Sequence, residues 1–123
     1  MGIMAKFMIV DDSIFQRKNL EKIIIRIGGE VVAEVSDGKD AVTQYTRFYP
    51  DVVFMDLLMP GMPGIEAVEK ILEVDRNAKI IIISSIGYKE IVDKALSLGA
   101  KKFIVKPVDI DNVTDIIKSV LKS

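Results

Sequence analysis

Residues 51–60 read DVVFMDLLMP. Val52, Val53, Phe54 and Met55 form a short apolar run, partly β-branched, which reads as a strand buried on both faces. Asp56 then sets a carboxylate where that run should be entering the interior. An ionised carboxylate taken out of water is costly, so Asp56 is either at the mouth of the strand or compensated by a cation.

The rest of the chain supplies the frame. Similar runs recur at KFMIV (6–10), EVVAEV (30–35), KIIII (79–83) and KFIV (102–105), which with 51–55 predict five strands. Between them the apolar residues fall at helical spacing: Leu20, Ile24 and Ile27; Ala41, Tyr45 and Phe48; Ile65, Val68, Ile71 and Leu72; Ile91, Ala95 and Leu98. Val113, Ile116, Ile117 and Val120 close the series. Gly28 and Gly29 end the first helix, Asp37 can cap the second, Pro63 and Gly64 open the third, and Gly99 ends the fourth. Apolar strands alternating with amphipathic helices predict an α/β fold, a doubly wound parallel sheet in (βα)5 order with helices on both faces. In such folds ligands bind outside the carboxyl ends of the strands, near the topological switch point.

Composition narrows the chemistry. The 123 residues fit one domain, taken as residues 5–122 with no output domain attached. Apolar residues make up 50% and charged residues 28%, the balance of a compact protein rather than a disordered one. With a formal charge of -1 and scattered basic residues, neither nucleic acid nor an anionic membrane is an expected partner. No apolar stretch is long enough to cross a bilayer and residues 1–10 lack the pattern of a signal peptide, so a cytoplasmic monomer is expected. Cysteine and histidine are both absent, which excludes disulfides, cysteine nucleophiles, imidazole bases and thiolate- or imidazole-ligated metals. Any metal must be held through oxygen.

At the predicted strand ends stand Asp11 and Asp12, then Asp56, then Ser84 and Ser85, then Lys106 followed by Pro107. Each has an ordinary reading taken singly. Asp11 or Asp12 could cap the helix starting near Ser13, the serines could mark a strand end, and Lys106 could be a solvated loop lysine. Together they put three carboxylates, a hydroxyl and an ammonium on one edge. The excess negative charge disfavours the cluster unless a divalent cation binds, and a hard ion such as Mg2+ suits a shallow site of a few carboxylates plus a phosphate. A carboxylate beside Mg2+ and a lysine can act as a nucleophile toward a phosphoryl group, which makes Asp56 a candidate phosphoacceptor.

These pieces, VDDS, MDLLMPGMPG, IISS and FIVKP in that order, resemble the receiver domain of two-component response regulators, in particular the stand-alone chemotaxis (CheY-like) members, over residues 5–122. The resemblance implies a flavodoxin-like sheet of order 2-1-3-4-5 and a Mg2+ cofactor, with Mn2+ as a substitute. It implies that Asp56 accepts the phosphoryl group, Asp12 binds the ion directly, Asp11 holds it largely through water, and the Leu58 carbonyl completes the set. It further implies that Lys106 contacts a phosphoryl oxygen, that Ser84 is drawn to another, and that Pro107 follows a cis peptide. Phe103 falls at the family's aromatic switch position, with plain core packing as its alternative.

The implied partners are a sensor histidine kinase as phosphodonor and a downstream protein, such as the motility switch. The output partner would bind a face made by the fourth helix, the fifth strand and the fifth helix. Ile14, Phe15, Lys18 and Lys22 are candidates for docking the donor, with core packing the alternative for Ile14 and Phe15. A phosphorelay intermediary would carry the same residues, and a pseudo-receiver would share the fold. Leu58 stands where an aspartyl phosphatase needs a second acid, and DDSIFQ lacks the phosphate loop of a flavin module. Apolar Leu58 and Ile86 at positions that help hydrolysis in some relatives imply slow loss of the phosphoryl group.

Overall fold

The computed structural model describes residues 3–85 and 88–122. Five strands alternate with five helices: β1 (Lys6–Val10), α1 (Ile14–Arg26), β2 (Glu30–Val35), α2 (Gly38–Phe48), β3 (Val52–Asp56), α3 (Gly64–Val74), β4 (Ile80–Ser84), α4 (Lys89–Leu98), β5 (Lys102–Val105) and α5 (Ile110–Lys122). The strands form one sheet in the order β2-β1-β3-β4-β5, and every neighbouring pair is parallel. The chain thus winds one way from β1 to β2 and the other way from β1 through β3 to β5. That reversal opens a crevice at the carboxyl ends of β1 and β3.

Strand residues alternate between the two faces, and the central strands are apolar on both. Met8, Val10, Val53, Met55, Ile80 and Ile82 pack with Ala41 and Tyr45 of α2, Val68 and Ile71 of α3, and Val92 and Ala95 of α4. Phe7, Ile9, Val52, Phe54, Ile81 and Ile83 face Leu20 and Ile24 of α1 and Val113, Ile117 and Val120 of α5. Phe7 and Phe54 stack across β1 and β3 with ring centroids 6.1 Å apart. On α2, Tyr45 is buried and its hydroxyl donates to Asp75 Oδ2 at 2.8 Å, which satisfies the one polar atom that enters with the ring.

Helix starts follow the side chains available. Ser13 caps α1, its side chain accepting from the Gln16 N–H at 3.4 Å, and Asp37 caps α2, Oδ1 accepting from the Asp40 N–H at 2.8 Å. Capping of α1 therefore falls to Ser13 and to neither aspartate before it. Among the described residues no helix is long and apolar enough to cross a membrane.

Strands β3 and β4 each begin and end one residue later than the sequence reading placed them. Asp51 precedes the paired residues and meets Lys6 twice: its N–H donates to the Lys6 carbonyl at 2.7 Å and its carboxylate accepts the Lys6 N–H at 2.7 Å. At the other end Asp56 pairs with Ile83, and Ser84 with Val105, inside the sheet. The polar residues are thus the last rungs of the ladder.

Candidate phosphoacceptor and cation site

Among the described residues, the buried polar or charged side chains are Asp11, Asp56 and Ser84, at 2%, 5% and 3% exposure. All three lie at the carboxyl edge of the sheet: Asp56 and Ser84 end β3 and β4, and Asp11 directly follows β1. Burial of polar groups at this edge, against a core otherwise closed to them, needs compensation.

Lys106, directly after β5, supplies it. Its Nζ lies 3.2 Å from Asp11 Oδ2 and 3.7 Å from Asp56 Oδ2, and its side chain is itself only 19% exposed. The second oxygen of each carboxylate is held by backbone: Asp11 Oδ1 accepts from the Ser13 N–H at 2.9 Å, and Asp56 Oδ1 from the Leu58 N–H at 3.1 Å. The Lys106 N–H donates to the Ser84 carbonyl at 2.7 Å, which ties the residue after β5 to the end of β4. The Lys106–Pro107 peptide is cis.

Burial pushes the Asp56 carboxyl up to about 6, from an ordinary 3.8. The Leu58 N–H and the Lys106 ammonium pull it down, while Asp11 and Asp12 push it further up. One lysine therefore does not fully compensate the charge, which leaves room for a second cation. Asp11, Asp12 and Asp56 each offer a carboxylate oxygen, all within 4.8 Å of one another. Asp12 is exposed and Asp11 and Asp56 are buried, so the cluster opens to solvent on one side. An all-oxygen set of this size and openness fits Mg2+, which keeps several waters and takes few protein ligands.

Ser84 lies beside this cluster on β4, and its hydroxyl donates to the Ser85 carbonyl at 3.2 Å. Phe103 is 45% exposed, so core packing, the alternative at that position, does not hold. It borders a cavity of about 380 Å3 with Ser84, Tyr88, Val92 and Val105. Ile14 and Phe15, at 54% and 84% exposure, are likewise surface residues and not core. Lys18 is exposed and pairs with Glu21 and Glu34, each at 3.2 Å. Leu58 is 42% exposed beside the acceptor. Ile86 lies outside the described residues.

Two features here were not read from the sequence. Arg17 Nη1 donates to the Asp11 carbonyl at 2.6 Å, and nothing in a lone arginine next to Lys18 signals that reach. Gly64 sits against the acceptor strand: an added Cβ would meet the Asp56 carbonyl oxygen and come within 2.5 Å of Leu57 Cα. Because both are backbone, Gly64→Ala must move α3 away from the end of β3. A stability loss of roughly 2–3 kcal/mol is expected in urea unfolding. A variant as stable as the wild type would show that the contact yields freely.

The response regulator receiver domain profile matches residues 7–118. The chemotaxis protein CheY of Treponema pallidum is 49% identical over 123 residues, covering 98% of this chain and 85% of the relative. CheY of Thermotoga maritima is 43% identical over 117 residues, covering 95% of this chain and 98% of the relative. Among solved structures, the CheX–CheY–BeF3–Mg2+ complex from Borrelia burgdorferi contains a chain that matches at 40% identity with a TM-score of 0.89. The match covers 94% of this chain and 87% of that one. With sequence, topology and strand-end residues in agreement, the chain belongs to the response regulator receiver domain family, among the CheY-like chemotaxis regulators.

Proposed function

We propose that Asp56 is the phosphoacceptor and receives its phosphoryl group from a phosphohistidine on a partner sensor kinase. A carboxylate oxygen of Asp56 attacks phosphorus, an O–P bond forms, and the donor's N–P bond breaks to release its imidazole. The observation that carries this reading is the sharing of one partly buried lysine by two buried carboxylates, Asp11 and Asp56. Two acids sharing one ammonium leave an excess negative charge that a bound metal ion would offset.

Asp11, Asp12, Asp56 and the Leu58 carbonyl would hold Mg2+, or Mn2+ in its place. When bound, the ion neutralises charge on the phosphoryl oxygens. Lys106 binds a second of those oxygens. Ser84, buried at 3% exposure beside the acceptor, turns its hydroxyl from the Ser85 carbonyl toward the new dianion. That movement biases the surface of α4, β5 and α5, where the exposed Phe103 ring borders an apolar groove, and so sets the affinity for an output protein. The chain acts on that partner as a cytoplasmic monomer. Exposed Ile14 and Phe15, beside the acidic pair, receive the donor. The Borrelia relative's complex with CheX, BeF3 and Mg2+ supports binding of a partner protein and of Mg2+ by a receiver of this kind.

Incubation with Mg2+ and acetyl phosphate, followed by intact mass, tests the reading. One phosphoryl adduct is expected, absent when EDTA replaces Mg2+ and absent in Asp56→Asn. An adduct that survives both changes would place the chemistry elsewhere.

A further inference from the structure

Arg17 lies on the first turns of α1 and takes no part in the chemistry above, yet its side chain is only 15% exposed. Its Nη1 donates to the Asp11 carbonyl at 2.6 Å, and its Nε lies 3.6 Å from Glu34 Oε1 on β2. Glu34 is held in turn by Lys18 at 3.2 Å. The guanidinium therefore spans from the neighbouring strand to the backbone of the acidic pair, using the planar fork that lysine lacks.

The other groups of Asp11 are also tied down. Its N–H donates to the Val35 carbonyl at 3.0 Å, and its carboxylate oxygens meet the Ser13 N–H and Lys106. The Asp11 carbonyl belongs to the rigid peptide unit that continues into Asp12. Asp12 is exposed, so packing holds its carboxylate weakly and the orientation of that peptide decides where it points.

We propose that Arg17 is a positioning residue for the cation site: anchored on Glu34, it orients the Asp11–Asp12 peptide so that the carboxylates converge on one ion. The proposal rests on the acidic cluster binding Mg2+. Partners that orient metal ligands typically change metal affinity tenfold or more when removed. Charge alone predicts the opposite sign, because deleting a nearby positive group should tighten cation binding. The direction of the change therefore separates positioning from simple electrostatics.

Mg2+ affinity of the full chain is measured by calorimetry, without phosphodonor, for the wild type, Arg17→Met and Arg17→Lys, with folding checked by circular dichroism. Arg17→Met is expected to bind Mg2+ about tenfold more weakly. Arg17→Lys keeps the charge but cannot reach both the carbonyl and Glu34, so its binding should weaken about threefold. If Arg17→Met does not fold, Arg17→Lys decides alone, and unchanged or tighter binding in the folded variant overturns the proposal. A wild type that binds no Mg2+ overturns the cation reading itself, and with it this inference.

Discussion

Asp56→Asn is expected to stabilise the metal-free protein at pH 7 by up to about 3 kcal/mol. The carboxyl of Asp56 is raised to about 6 in the folded protein from 3.8, because burial penalises its charged form. Each unit of such a shift corresponds to about 1.36 kcal/mol. The sign follows from proton binding. Between roughly pH 4 and 6 the folded state holds a proton that the unfolded state has released, so stability falls as pH rises through that window. Above it the whole cost of a buried charge is present. Asparagine keeps the shape and an oxygen for the Leu58 N–H but carries no charge. In urea unfolding with EDTA, the wild type should lose stability from pH 4 to pH 7 relative to Asp56→Asn. Mg2+ should then restore the wild type by binding the folded state. A wild type at least as stable as Asp56→Asn at pH 7 in EDTA would show that Lys106 already compensates Asp56 completely.

Removal of the lysine gives the second large effect. Lys106 is the ammonium shared by Asp11 and Asp56, at 3.2 and 3.7 Å, and all three side chains are mostly buried. Lys106→Met retains the aliphatic stem but leaves both carboxylates facing each other without it. A destabilisation of about 3 kcal/mol in EDTA is expected, the usual result of breaking a buried pair from one side. The cost should shrink when Asp56→Asn is also present, since one of the two orphaned charges is then gone. Under saturating Mg2+, adduct formation from acetyl phosphate should fall about a hundredfold or more, the scale for losing one charge-stabilising donor at a transition state. Mg2+ binding itself should persist, because lysine competes with the ion for the same carboxylates. Wild-type adduct rates in folded Lys106→Met would remove the lysine from the chemistry and leave it a structural role.

Much of this was legible in the sequence for physical reasons that can be named. Central strands such as IIII at 80–83 are buried on both faces and so carry uninterrupted apolar runs. The (βα)5 order and the strand-end cluster follow from reading where those runs stop. The stops themselves were read one residue early in β3 and β4, because side-chain polarity changes at Asp56 and Ser84 while the backbone ladder, indifferent to side chains, continues through them. β5 misleads differently. As an edge strand it is covered well on only one face, so Ile104 is buried while Phe103 and Val105 remain exposed. On α4 the spacing of Ile91, Ala95 and Leu98 located the helix, but Val92 and Ala95 are its buried residues, a shift of the inner stripe that only packing against the sheet determines. The contacts of Arg17 with the acidic pair and of Gly64 with the acceptor strand were not legible for a related reason. Their roles depend on close approach to backbone atoms, which the residue type alone does not announce.

Reductive mapping of the acceptor tests the assignment of Asp56 most directly. After phosphorylation with Mg2+ and acetyl phosphate, borohydride converts an aspartyl phosphate to homoserine, and peptide mass spectrometry locates the converted position. The expected result is conversion confined to residue 56, in the peptide containing DVVFMDLLMP, and none in protein treated without Mg2+. Conversion at Asp11 or Asp12 instead, or an adduct that yields no homoserine, would contradict Asp56 as the acceptor.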